Sequence, residues 1–188
     1  MTPEEQALAD IIGLFRELGV PFMLTGSVAA SYHGRPRATH DADVVIDPAP
    51  AQLEAMVAAL EARGFYVDRE AARRAVHDRT LFNVIEMRHA CKIDLIIRRD
   101  RPFSEEEFRR RLSVDLSFAA DVSIVTAEDA ILSKLEWARR AGDSERQLAD
   151  AAGIVALNAG MDRAYIDRWA RDLGVDDLWA RVRGHDSF

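Results

Sequence analysis

Residues 25–43 read TGSVAASYHGRPRATHDAD, and this stretch decides the fold that the sequence predicts. The apolar run at 22–25 that leads into it is typical of a short buried strand. Gly26-Ser27 interrupts that run, and residues 28–33 have the composition of a short helix. Residues 41–47, DADVVID, follow a basic loop and are typical of a second strand. The stretch therefore predicts a strand, a Gly-Ser break, a short helix and a strand that opens with two aspartates.

Three aspartates are the candidate catalytic and metal-binding residues. Asp41 and Asp43 are two positions apart in a predicted strand, so their side chains point to the same face. Asp94 lies between Ile93 and Leu95 in a later predicted strand and points away from the face that those apolar side chains bury. If the two strands are neighbours, the three carboxylates converge and repel one another unless a cation lies between them. Mg²⁺ suits such a site because it binds a few carboxylate oxygens and keeps other positions for water and substrate phosphates.

The Gly26-Ser27 pair is a candidate phosphate site. A strand that ends in glycine, followed by a serine that opens a helix, presents free backbone N–H groups and the positive end of the helix to an anion. Gly26 lets a phosphate approach the backbone, and Ser27 either caps the helix or hydrogen-bonds the phosphate. Metal-binding carboxylates beside a phosphate site are typical of nucleotidyl or phosphoryl transfer, in which metal ions neutralise charge and align the attack.

The run Thr25–Gly34, followed by the spacing RxTxDxD at residues 37–43, resembles the polymerase-β-like nucleotidyltransferase superfamily. It is most similar to the small bacterial branch that includes the effectors of abortive-infection (AbiEii-type) toxin–antitoxin systems. The resemblance implies an α+β fold in which a nucleotidyltransferase core, a mixed sheet with flanking helices, is followed by a C-terminal helical subdomain.

The resemblance also implies roles for individual residues. It makes Asp41, Asp43 and Asp94 the catalytic residues and metal ligands, with Asp94 as a ligand or as the general base for the attacking hydroxyl. Residues 128–135, EDAILSKL, are similar to a helix that carries a nucleotide-contacting lysine, and residues 143–150 are similar to a charged motif that ends in a functional aspartate. The implied nucleotide-binding residues are Gly26, Ser27, Arg37, Thr39, Lys134 and Asp150.

Apolar periodicity and turn residues predict the remaining elements. The predicted helices are 3–18, 51–62, 104–112, 126–140, 144–158, 162–173 and 175–183, and the further predicted strands are 65–67, 81–85, 91–97 and 122–125. Thr2 and Glu5 form a predicted capping box at the first helix, and the strands at 81–85 and 91–97 are predicted to pair as a hairpin. We expect a nucleotidyltransferase core at 1–125 and a helical subdomain at 126–188.

The composition excludes several classes of protein. With 48% hydrophobic residues among 188, the chain lacks the signature of a disordered protein, and its net charge of -7 argues against strong DNA binding. Cys91 is the single cysteine, which excludes an intrachain disulfide and a cysteine-based zinc site. The N-terminus lacks the order of a secretory signal and no apolar run is long enough to cross a bilayer, so we expect a cytoplasmic protein with no membrane partner.

The sequence thus predicts an Mg²⁺-dependent enzyme that moves an NMP from an NTP to a hydroxyl and releases pyrophosphate, with one metal ion or two. The acceptor is left open between tRNA, a protein side chain and an antibiotic-type small molecule, and a cognate antitoxin is a candidate partner. The alternative is a non-catalytic nucleotide- or partner-binding module on the same fold. Arginine clusters within 69–79 and 98–111 are either a local groove for an RNA acceptor or solvated helix faces.

Overall fold

The structure is a computed structural model that describes residues 1–35 and 41–184. Its strands are β1 (Phe22–Thr25), β2 (Asp41–Ile46), β3 (Phe65–Val67), β4 (Leu81–Glu86), β5 (Cys91–Ile97), β6 (Leu112–Leu116) and β7 (Ala119–Ile124). Its helices are α1 (Pro3–Glu17), α2 (Gly26–His33), α3 (Leu53–Ala62), α4 (Arg69–Asp78), α5 (Pro102–Arg110), α6 (Ala127–Arg140), α7 (Glu145–Leu157), α8 (Arg163–Asp172) and α9 (Asp176–Arg183). A short 3-10 turn at Pro50–Gln52 precedes α3.

The strands form one seven-stranded mixed sheet in the order β3-β4-β5-β2-β1-β7-β6. β2 pairs in parallel with β5, and β1 pairs in parallel with β7. The other neighbours are antiparallel, including the predicted hairpin of β4 and β5. The predicted α+β class, with a mixed sheet, flanking helices and a helical C-terminal region, is confirmed.

The two faces of the sheet differ in character because the strands alternate. In β5, the side chains of Cys91, Ile93, Leu95 and Ile97 are buried, whereas the three residues between them are only half-buried. Helix α1 contacts β5, α3 contacts β3 and α4 contacts β4, so these helices cover the apolar face. The opposite face of β2 and β5 carries the acidic residues of the candidate site.

Helix α1 begins as the sequence predicts. The Thr2 side chain accepts from the backbone N–H of Glu5, and the Glu5 carboxylate accepts from the backbone N–H of Thr2 at 2.8 Å. At the other end of the helix, Arg16 donates to the carbonyls of Ala120 and Asp121 in β7, at 2.7 and 2.6 Å. The helix is thereby tied to the far strands of the sheet as well as packed on its centre.

Two elements were missed by the sequence analysis, α4 and β6. Helix α4 buries only Ala72 and Ala75, so it has no stripe of large apolar residues for a periodicity argument to detect. Strand β6 is an edge strand whose register is set by β7, and the predicted helix at 104–112 was wrong to extend into it. The helix instead ends at Arg110, where the backbone turns toward the sheet.

The described chain divides into two compact units. One contains Met1–Thr25 and, from Asp41 on, the chain up to Ile124; the other contains Gly26–Arg35 and the chain from Val125 to Gly184. Helix α2 therefore groups with the C-terminal helices, to which it makes contacts at α6 and α7. None of the helices in these described ranges is long and apolar enough to span a membrane.

Glu86, at the end of β4, gives a stability prediction. Its carboxylate accepts from the backbone N–H groups of Arg88 and His89, at 3.0 and 2.9 Å, and from the His89 ring. Burial alone raises the pKa of Glu86, but these hydrogen bonds outweigh it and hold that pKa below its ordinary value of 4.5. The ionised carboxylate therefore stabilises the hairpin turn.

We expect Glu86→Gln to lower the free energy of unfolding by about 1–2 kcal/mol at pH 7, because the charged acceptor is lost. A carboxylate whose pKa is depressed in the folded state contributes stability above its unfolded pKa and loses it as the pH falls through the folded value. The difference between wild type and variant, measured by urea denaturation at pH 7 and pH 4, should therefore shrink at the lower pH. An equal difference at both values would contradict the assignment.

Candidate functional site

The parallel pairing of β2 and β5 brings the predicted aspartates together. Asp43 lies directly opposite Asp94, and Asp41 lies opposite Lys92. Because paired residues of neighbouring strands project to the same side, all four side chains lie on one face. Neighbouring strands are about 4.8 Å apart, so the Asp43 and Asp94 carboxylates extend from adjacent positions. The predicted convergence of the acidic strands is present in the structure.

Asp94 is held by two donors. The side-chain amide of Asn83, which lies opposite Asp94 in the β4–β5 hairpin, donates to Asp94 Oδ1. The Lys92 ammonium lies 3.2 Å from the same oxygen. The Asp94 side chain is only 18% exposed, so these contacts replace much of its hydration.

The aspartates on this face alter the pKa of Lys92. Burial lowers the pKa of Lys92, but a hydrogen bond to Asp94 and the charges of all three aspartates outweigh burial, so that the pKa lies above its ordinary value. Lys92 stays charged and partly neutralises the cluster. It does not remove the need for a further cation when a polyphosphate binds, because a single lysine faces three carboxylates.

The carboxylates on this face are candidate ligands for a divalent metal ion. Within the described ranges, no three His, Cys, Asp or Glu side chains form a group arranged to hold a metal ion. Mg²⁺ is usually bound by one or two carboxylates together with substrate phosphates and water, rather than by a complete protein cage. Asp41 and Asp43, two residues apart on one face of β2, therefore fit a metal whose other ligands come from a nucleotide.

The predicted strand, Gly-Ser break and helix are confirmed. Thr25 ends β1 opposite Asp43, and Gly26 follows it as the first residue of α2. Gly26 has a φ of +60°, a left-handed conformation that glycine adopts without steric cost. Ser27 is buried, at 7% exposure.

Lys134 and Asp150 form an ion pair between α6 and α7. Lys134 Nζ lies 2.9 Å from Asp150 Oδ2, and the two side chains are 6% and 12% exposed. The structure therefore joins two residues that the sequence analysis had placed in the nucleotide site separately. Lys92 and Lys134 are the only lysines in the sequence, and each contacts a predicted site aspartate.

Two predicted nucleotide-binding residues, Arg37 and Thr39, lie outside the described residues. The arginines of the first cluster are paired with carboxylates: Arg69 with Glu54 and Glu61, Arg73 with Glu54, Arg74 with Glu70, and Arg79 with Asp47 and Asp100. In the second cluster, Arg98 contacts Asp47 at 2.7 Å and Arg109 contacts Glu106 at 2.7 Å. These contacts favour the interpretation of the clusters as balanced surface charge.

Sequence reasoning missed Asn83, although a signal was present. The four residues 87–90 join β4 and β5, and counting outward from that turn places Asn83 opposite Asp94. A polar amide in the apolar run LFNVIE was the second sign. The Lys134–Asp150 contact had no comparable signal, because it depends on how two helices pack.

The fold was compared with known proteins. No protein-family model matches the sequence, and no curated protein is similar enough to count as a match. Among solved structures, the solution structure of the antibiotic-resistance factor ANT(2'')-Ia matches with a TM-score of 0.62 at 11% identity, covering 96% of this chain and 95% of that one. A crystal structure of ANT(2'')-Ia in complex with adenylyl-2''-tobramycin gives 0.53 at 15% identity, covering 98% and 99%.

A third structure, an antigenic nucleotidyltransferase-like protein from Paracoccidioides brasiliensis, matches with a TM-score of 0.59 at 12% identity, covering 96% of this chain and 92% of that one. At such identities the likeness concerns the fold. The chain therefore has the nucleotidyltransferase fold that residues 25–43 predict. Its place in the abortive-infection branch stays a prediction.

The Lys134–Asp150 pair predicts a strong coupling. Lys134→Met removes the cation that lies 2.9 Å from the largely covered Asp150 carboxylate, so we expect the free energy of unfolding to fall by about 3–5 kcal/mol. The double variant Lys134→Met/Asp150→Leu should lose less than the sum of the two single variants, because neither charge is then left alone. Urea denaturation of all four proteins measures this. Additive losses would show that the two side chains do not interact.

Proposed function

We propose that this protein is a nucleotidyltransferase that moves an NMP from an NTP to a hydroxyl and releases pyrophosphate. The observation that carries the proposal is the register of β2 and β5, which sets Asp43 opposite Asp94 with Asp41 on the same face. The neighbouring strand β1 leads directly into Gly26-Ser27 and a helix. The nucleotidyltransferase fold of the solved structures supports the same conclusion.

A divalent metal, Mg²⁺ in the proposal, would be held by Asp41 and Asp43 together with the phosphates of the nucleotide, and Asp94 would be the general base. The metal would supply positive charge against the phosphates and orient the nucleotide. Gly26 and Ser27 would hold the β- and γ-phosphates through backbone N–H groups at the start of α2, where the helix dipole favours an anion. Arg37 and Thr39 remain predicted contacts of the nucleotide.

In the proposed reaction, the protein's own residues remove the proton of the acceptor hydroxyl and align that hydroxyl with the α-phosphorus. Asp94 takes the proton of the acceptor hydroxyl, and the oxygen's electron pair forms the new bond to the α-phosphorus. The bond from that phosphorus to the bridging oxygen breaks, and pyrophosphate leaves with the electron pair. Lys134 and Asp150 remain predicted contacts of the nucleotide, as the resemblance implies.

The acceptor is proposed by class. The resemblance to abortive-infection effectors supports a tRNA or a protein side chain, with a cognate antitoxin as partner. The match along nearly the whole chain to ANT(2'')-Ia, whose structure holds adenylyl-2''-tobramycin, supports a small polyhydroxylated molecule instead. The three acceptors can be tested side by side.

The first experiment is transfer from each α-³²P-labelled NTP with Mg²⁺ to total tRNA, to lysate protein and to an aminoglycoside. We expect label on one acceptor class with the wild type and none with Asp41→Ala/Asp43→Ala. Asp94→Asn should lower kcat by about 10²–10⁴-fold, because it removes the general base. Label that is equal in the wild type and these variants would contradict the site.

Asp78→Asn is the matched control. Asp78 is exposed at the end of α4, where it contacts the ring of His77, so Asp78→Asn removes one negative charge away from the site. This variant should transfer at the wild-type rate. A loss as large as that of Asp94→Asn would mean that net charge, and not the site, controls the reaction.

Thermal denaturation separates the enzyme from a binding module. A nucleotide with Mg²⁺ at 100 times its Kd should stabilise the wild type by about 2.7 kcal/mol. Asp41→Ala/Asp43→Ala should lose that gain. Stabilisation without transfer to any acceptor would favour the non-catalytic module, and the absence of both would contradict nucleotide binding itself.

A further inference from the structure

Asn83 occupies an unusual place for its residue type. It lies in the middle of β4, between the buried Phe82 and Val84, where asparagine is disfavoured relative to β-branched and aromatic residues. Its backbone already takes part in the β4–β5 ladder opposite Asp94. The side chain is exposed and so is not required to fill the core. Its amide group is therefore available for a task other than folding.

The side-chain amide of Asn83 contacts Asp94. Asn83 Nδ2 donates to Asp94 Oδ1, and Lys92 Nζ lies 3.2 Å from the same oxygen. Both donors that the described residues bring to Asp94 thus use Oδ1. The second oxygen, Oδ2, remains for the acceptor hydroxyl.

Asn83 and Lys92 differ in how firmly they hold this oxygen. The Lys92 side chain is a flexible four-carbon chain that ends in a point charge, and it is 42% exposed. Its charge interacts with all three aspartates and not with Asp94 alone. The asparagine has two side-chain torsions and a planar amide, and it stands on the strand directly beside Asp94. Asp43 repels the Asp94 carboxylate from the β2 side and the Asn83 amide attracts it from the β4 side, so the two act in the same direction and hold Oδ1 toward β4.

We propose that Asn83 is a positioning residue for the transfer reaction: it fixes Asp94 through Oδ1 so that Oδ2 faces the acceptor hydroxyl. The proton of that hydroxyl passes to Oδ2 while the oxygen's electron pair forms the bond to the α-phosphorus, and pyrophosphate departs with the electrons of the broken bond. The inference rests on the proposed function. It adds a residue that acts through Asp94 and does not contact the nucleotide.

The kinetic test compares Asn83→Ala, Asn83→Gln and Leu81→Ala with the wild type. Leu81 lies on the same strand and face two residues earlier, and it pairs with Ile96. We expect Asn83→Ala to lower kcat by about 10–100-fold with the KM for NTP and the Tm unchanged, as for other residues that orient a functional group. Asn83→Gln, which restores an amide donor, should recover part of the loss, and Leu81→Ala should behave as the wild type.

Wild-type kcat in Asn83→Ala would overturn the inference and leave the proposed function standing. A parallel fall in Tm for Asn83→Ala, without rescue by Asn83→Gln, would also overturn it by showing a structural role. If the wild type transfers no label to any acceptor, the proposed function fails and the positioning role fails with it.

A second readout does not depend on turnover. In a ¹⁵N-labelled sample, the side-chain amide resonances of Asn83 should move in Asp94→Ala and stay in place in Asp78→Asn. Unchanged resonances in both variants would show that the amide does not hold Asp94, whether or not the protein transfers nucleotides.

Discussion

The parallel, in-register pairing of β2 with β5 is the constraint on which core and candidate site both depend. Val44 lies opposite Leu95 on the buried face, and Asp43 lies opposite Asp94 on the other. Because side chains alternate along a strand, a slip of one residue in β5 would put Asp94 into the core and its apolar neighbours into water. The packing of the apolar face therefore enforces the placement of the carboxylates. Stability and proposed chemistry are specified by the same register.

Local signals made much of this predictable. The Gly-Ser break, the paired aspartates and the hairpin around residues 87–90 each depend on only a few consecutive residues. The structure contains all three. The sequence did not establish that β2 and β5 are neighbours, because more than forty residues separate the two strands. Helix α4 and strand β6 were missed because alanine packing and edge pairing leave little periodicity. The contact between Lys134 and Asp150 could not be predicted, because it depends on how α6 packs against α7.

The charge of the protein is arranged by short-range pairing. An acidic chain of net charge -7 still carries many arginines, and those of the first cluster, together with Arg98 and Arg109 of the second, lie against carboxylates. The exposed ones among these pairs add little stability singly, about 0–1 kcal/mol each. Pairing reduces the electrostatic potential that these arginines produce at the surface. The carboxylates on β2 and β5 are then the charged groups to which a metal-bound nucleotide would bind in the proposed function.

The scarcity of lysine has a practical consequence for labelling. Reagents that acylate or reductively methylate amines find two side-chain targets in this chain, and they differ in access: Lys92 is 42% exposed, whereas Lys134 is almost fully covered. A ¹³C-methyl tag introduced under native conditions would thus sit on Lys92, beside Asp94, and on the amino terminus. The acidic face of β2 and β5 therefore carries a natural attachment point for a spectroscopic probe, without any engineered residue.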